Sequence, residues 1–81
     1  MSELDDLSVR LATIKLQAIE AKVPAAVRKM LGDMPIGSRL QFYTGARGSL
    51  SGLTPIQALR AGKVADVRRA AEGFRERRNG P

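Results

Sequence analysis

Two apolar series interleave through the first part of the chain. Leu4, Leu7, Leu11, Ile14, Ala18 and Ala21 step by threes and fours, and so do Val9, Ala12, Leu16, Ile19 and Val23. A helix turns by about 100° per residue, so this spacing predicts an amphipathic helix over residues 3–22 with two seams roughly 140° apart. Asp6, Arg10, Thr13, Gln17 and Glu20 form its wet side. Ser2 with Asp5 makes a capping-box-like start, and Glu3, Asp5 and Asp6 suit the positive end of the helix dipole. Two arrangements satisfy such a helix. In one, a seam faces the domain and the other faces a second copy, with Val9, Ala12, Leu16, Ile19 and Val23 as the candidate dimer seam. In the other, the helix is sunk in its own core and touches two neighbours.

Val23-Pro24 interrupts the run, because proline disfavours helix at the preceding residue and favours a first turn. The spacing predicts a second short helix over 24–31, stopped at Gly32, then a turn over Met34-Pro35-Ile36-Gly37. Ser38 and Gln41 form a capping-box pattern, so 38–44 is expected to be a short helix, with a strand through Leu40 and Phe42 as the competing reading. Gly45 to Ser49 reads as a loop. Thr54, Pro55 and Gln57 then combine an N-cap, a first-turn proline and a capping box. The resulting helix ends at Gly62, with Ile56 and Leu59 projecting from it. A last helix over 63–77 places Val64, Val67, Ala71 and Phe74 on one face, and Asn79 to Pro81 reads as a frayed end.

The expected fold is all-α, a small bundle of about five helices: a long N-terminal amphipathic helix followed by short capped ones. Composition agrees with it. Aromatics are limited to Phe42, Tyr43 and Phe74, so the core must come from aliphatic side chains, which favours helix packing. The 81 residues contain no repeat and read as a single helical domain, 1–81. There is no cysteine, the start is acidic without a long apolar run, and no stretch reaches the roughly 18 apolar residues of a membrane span. A bacterial cytoplasmic protein that does not enter the membrane is expected.

The net charge of +6 is uneven. Acidic and basic groups balance over residues 1–37, and the excess lies in Arg60, Lys63, Arg68, Arg69, Arg75, Arg77 and Arg78. Such an excess attracts acidic partners. Arg68, Arg69, Arg75, Arg77 and Arg78 are therefore the candidate partner-binding residues. They serve either a protein surface or the phosphates of nucleic acid, for which Phe42 and Tyr43 are the available stacking groups. No recognition helix combines Asn, Gln and Arg at base-reading positions, which places nucleic acid second.

Catalysis has little to build on. Without histidine or cysteine, the Gly48-Ser49-Leu50-Ser51-Gly52 stretch lacks both the central serine and the base of a nucleophile elbow. The glycines at 45, 48 and 52 do not form a phosphate loop, and no metal or cofactor site is expected. The chain is expected not to be an enzyme.

Phe42-Tyr43, the Gly45–Ser49 loop, Leu50, Gly52, Thr54-Pro55, the apolar run Ile56 to Leu59, Gly62, and the Ala/Val-rich segment Val64 to Phe74 occur in a characteristic order. Over residues 39–74 the chain resembles the toxin-binding domain of the Xre/MbcA/ParS antitoxin family. The resemblance implies an all-α domain that binds and occludes a partner protein, usually a RES-domain toxin that degrades a nicotinamide dinucleotide. On that reading 38–78 is the toxin-binding segment and 1–37 a helical dimerisation segment in place of the family's DNA-binding domain. The alternative is a basic nucleic-acid-binding accessory or regulatory protein, encoded by a mobile element.

Overall fold

The computed structural model of the chain describes residues 3–32 and 34–79, with side chains over 7–32 and 34–77. Among the described residues the fold is all-α: α1 (Glu3–Glu20), α2 (Ala25–Leu31), α3 (Ile36–Thr44), a 3₁₀ turn (Gly48–Leu50), α4 (Pro55–Arg60) and α5 (Val64–Asn79). No strand occurs among them, so the strand reading of 38–44 falls. The start expected from Ser2 and the end at Gly80 and Pro81 lie outside the described residues.

Every element contributes to one core. Leu16 of α1, Val27 and Leu31 of α2, Phe42 and Tyr43 of α3, Leu50 of the 3₁₀ turn, Ala58 of α4 and Val67, Ala70 and Ala71 of α5 are buried together with Val23. α5 packs against α2, α4 and the 3₁₀ turn, while α3 meets both α1 and α4. Consecutive residues on a helix point about 100° apart, so burying both Phe42 and Tyr43 requires α3 to be covered on two sides. Phe42 meets Phe74 of α5 at 5.3 Å between ring centroids. Tyr43 donates its hydroxyl to Glu20 Oε2 of α1 at 2.8 Å.

The sequence signals mark some boundaries and miss others. The Thr54–Gln57 capping box forms in both directions, Gln57 N–H to Thr54 Oγ1 at 3.1 Å and Thr54 N–H to Gln57 Oε1 at 2.9 Å. The other end of α4 is a Schellman closure. Lys63 N–H donates to the Ala58 carbonyl at 2.9 Å and Gly62 N–H to the Leu59 carbonyl at 3.0 Å. That geometry needs Gly62 at φ 79°, a conformation glycine adopts without a Cβ clash. The Ser38–Gln41 box is a correction. α3 begins earlier, at Ile36 with Pro35 as its cap residue, and Ser38 is a buried residue inside the helix. Pro35 is extended at φ −52°, ψ 148°, and its carbonyl accepts from Arg39 N–H at 3.0 Å. An X-Pro pair opens this helix where a polar N-cap was expected.

Glu20 also departs from its expected place on the wet side. It is mostly buried and takes the Tyr43 hydroxyl on one oxygen and Arg39 Nη1 on the other at 3.2 Å. Arg39 is held in turn by its Nε donating to the Met34 carbonyl at 2.8 Å. This network clamps the end of α1 to α3. Burial first, then the hydrogen bond to Glu20 and its charge, push the Tyr43 hydroxyl well above its ordinary value of 10. A phenol held protonated in the fold contributes stability that is fully present below pH about 10. That stability is lost as pH rises further, because the unfolded chain then ionises while the folded one keeps its proton. Tyr43 is the only tyrosine, so tyrosinate absorbance reports it alone. The folded chain is expected to ionise Tyr43 only as it unfolds, and Tyr43→Phe is expected to flatten the alkaline loss of stability. A Tyr43 that titrates near pH 10 without unfolding would contradict the buried hydrogen bond.

Candidate interaction surfaces

The candidate dimer seam is divided by the fold. Leu16 and Val23 are buried in the chain's own interior, while Ile19 is half-buried against the core and, with the edge of Val23, also lines the groove between α1 and α4. Ala12 is half-buried and Val9 is 60% exposed. Leu16 and Val23 are thereby corrected from a seam for a second copy to the anchor of α1. The reason is that α1 meets the body only along its C-terminal half. The other seam is the open one: Leu7, Leu11 and Ile14 are 52%, 66% and 61% exposed. Every described side chain from Leu7 to Leu11 is exposed, so this half of the helix overhangs the body.

The open seam runs into a groove between α1 and α4. The groove encloses about 400 Å³. Its floor includes Ala18 of α1 with Ile56 and Leu59 of α4, and Lys15, Lys22 and Arg60 stand at its rim. No carboxylate lines it. The capped helix α4 thus holds one wall of an apolar channel with a cationic edge. Pro55 and Ala58 anchor that helix on its buried side.

The α5 arginines do not converge. Arg68, Arg69, Arg75 and Arg77 are all exposed, while the side chain of Arg78 lies outside the described residues. At about 100° per residue Arg68 and Arg75 share one line of the helix, Arg69 a second and Arg77 a third. Glu72 and Glu76 lie between these lines. Arg69 Nη2 bonds Asp66 Oδ1 at 2.7 Å, and Arg77 Nε donates to the Gly73 carbonyl at 3.4 Å. A shallow recess of about 390 Å³ beside the 3₁₀ turn takes Arg69 and Arg77 together with Asp66 and Ser49. The face is mixed in charge, unlike the uninterrupted cationic track that follows a phosphate backbone. Phe42 and Tyr43, the expected stacking groups, are fully buried and cannot meet a base.

Arg47 is the residue that sequence reasoning passed over. Its backbone closes the 47–53 loop: Arg47 N–H donates to the Leu53 carbonyl at 3.1 Å, and Gly52 N–H to the Arg47 carbonyl at 2.8 Å. Ser51 and Gly52 both take positive φ to allow this, so the Gly48–Gly52 stretch is a tight turn around buried Leu50. The guanidinium lies over Phe42 at 4.6 Å and over Phe74 at 4.8 Å from the ring centroids. Its Nε is buried with no hydrogen-bond partner among the described residues. Burial, and then the neighbouring Arg77 charge, lower the Arg47 pKa from its ordinary value. The side chain staples the loop to α3 and α5. The one signal in the sequence was an arginine between glycines, following an aromatic pair.

Among the described residues, His, Cys, Asp and Glu form no group able to hold a metal ion. No helix among them is long and apolar enough to cross a membrane. Comparison of the chain with family models, with curated proteins and with solved structures gave no match.

Proposed function

We propose that the chain is a small protein-interaction module, antitoxin-like, that works without catalysis as a homodimer in the bacterial cytoplasm and occludes a partner protein. The observation that carries this reading is the continuous apolar surface from Leu7 and Leu11 into the α1–α4 groove, edged by Lys15, Lys22 and Arg60. A domain this small has little apolar surface to leave uncovered. Residues 39–74 make a RES-type toxin the first partner to test, with Arg68, Arg69, Arg75, Arg77 and Arg78 as the proposed contacts to a charged rim on that partner. A rim of this kind sets association rate and salt response more than affinity.

The alternative, nucleic-acid binding, is separated by salt. Five phosphate contacts would give a log–log slope of about −4 to −5 on duplex DNA. Duplex binding is expected to be no tighter than the non-specific range of roughly 10⁻⁴–10⁻⁶ M at physiological salt. Fluorescence anisotropy over a salt series measures this, beside a pull-down from bacterial lysate with and without nuclease. A nuclease-resistant protein catch that Leu11→Glu abolishes supports the module. Nanomolar, sequence-dependent DNA binding removed by Arg68→Ala with Arg69→Ala would overturn it.

A further inference from the structure

The side chains lining the α1–α4 groove are apolar except for Lys15, Lys22 and Arg60. These cations are spread out. Lys15 and Lys22 stand on the α1 wall seven residues apart, about 10 Å at the helical rise, and Arg60 stands on the α4 wall. Charges on both walls, two turns apart on one of them, do not suit a single head group such as a fatty-acid carboxylate or a phosphate. They suit acidic side chains spaced along both flanks of an apolar stripe, which is the pattern of an amphipathic helix. The described carboxylates of this chain are placed elsewhere. Glu20 and Asp66 are in ion pairs with Arg39 and Arg69, and Glu72 and Glu76 lie among the arginines of α5. None of them lines the groove, so the matching charge must come from another molecule.

We propose that the α1–α4 groove is the docking site for an acidic amphipathic helix of a partner protein. That helix lays its apolar stripe on Ala18, Ile19, Ile56 and Leu59. Glu or Asp on one flank meets Lys15 and Lys22, and on the other flank Arg60. A third helix seated between two others packs its ridges into their groove in the ordinary way. The walls are built before it arrives. The capping box and buried Pro55 and Ala58 fix α4, while Leu16 and the bonds from Arg39 and Tyr43 to Glu20 fix the end of α1. Docking therefore orders little of this chain, which keeps its entropic cost low. The net charge of +6 draws an acidic partner from a distance. This site rests on the partner-protein part of the proposed function and gives the partner's contact surface its chemistry. The overhang from Leu7 to Leu11 lies outside the groove and remains for the homodimer.

Fluorescence anisotropy on the full chain tests the site with two labelled synthetic peptides. One is an amphipathic helix with leucines on one face and glutamates on both flanks, and the other carries lysines in place of the glutamates. The glutamate peptide is expected to bind in the micromolar range and the lysine peptide at least about tenfold more weakly. Lys15→Glu with Lys22→Glu is expected to remove that preference. Lys29→Glu with Lys63→Glu makes the same change of net charge at exposed sites outside the groove, and is expected to keep it. Circular dichroism confirms that each variant is folded. Amide shifts of the wild-type chain need no variant: with the glutamate peptide they are expected to concentrate on residues 15–23 and 56–60. Shifts concentrated on α5, or a preference that both pairs of substitutions weaken equally, would overturn the groove site. A nuclease-resistant protein catch that Leu11→Glu abolishes would then leave the interaction module standing on the overhang. Wild-type self-association that Lys15→Glu with Lys22→Glu removes in sedimentation would give the groove to a second copy. Flotation with phosphatidylglycerol vesicles that the same variant loses would give it to lipid, and either result would overturn the proposal.

Discussion

Leu16→Glu is expected to unfold the chain, whereas Leu11→Glu on the same helix is expected to leave it folded. Leu16 is 3% exposed in the common core and Leu11 is 66% exposed on the overhang. Removing a buried leucine side chain alone costs about 2–5 kcal/mol. The introduced carboxylate must further be buried without a partner or drag the end of α1 into solvent. A domain of this length has a total stability of only about 4–12 kcal/mol. At an exposed site a substitution stays within about 0.5 kcal/mol. Urea denaturation followed by far-ultraviolet circular dichroism measures both variants. Equal losses would mean that the open seam also packs within the monomer. A folded Leu16→Glu would mean that α1 is not anchored through it. Leu11→Glu should at the same time weaken self-association, since it puts a charge on the exposed seam available to the proposed homodimer.

The second result concerns the cation over the two rings. Arg47→Ala is expected to cost about 2–3 kcal/mol, because two ring contacts of about 1 kcal/mol each are lost together with the stem that fills the slot. Arg47→Met should stay within about 1 kcal/mol of wild type. Its thioether suits aromatic edges, and it leaves no buried Nε in want of a partner. Arg47→Lys should fall between them, since it keeps the charge but loses the planar face that lies over Phe42 and Phe74. Denaturation midpoints order the three. A Met variant as weak as the Ala variant would show that the positive charge, and not the filled slot, holds the 47–53 loop.

Surface and interior were unequally legible. The α4 boundaries were readable because Thr54, Pro55, Gln57 and Gly62 act within a few residues of one another, and local hydrogen bonds settle that geometry. The same reasoning failed at Ser38, where an identical-looking box lies inside a helix. There the Pro35 carbonyl starts the turn, and packing of Phe42 and Tyr43 on two sides extends the helix over Ile36 and Gly37. Periodicity found both seams of α1, yet it could not rank them. Both are apolar, and the choice between them depends on where α3 lies.

The sequence by itself determined the helical class, the number of helices, the α4 caps, and the apolar lines along α1 and α5. Each of these follows from propensities and spacings within about one to five turns of helix. Only the tertiary structure decided which α1 seam is interior, that Glu20 is clamped between Arg39 and Tyr43, and that Arg47 lies over two rings. It alone brought α4 beside α1 to form a groove with cations at its edge. These features join residues far apart in the chain. Their energies depend on burial and on partners supplied by other helices, so no local pattern encodes them.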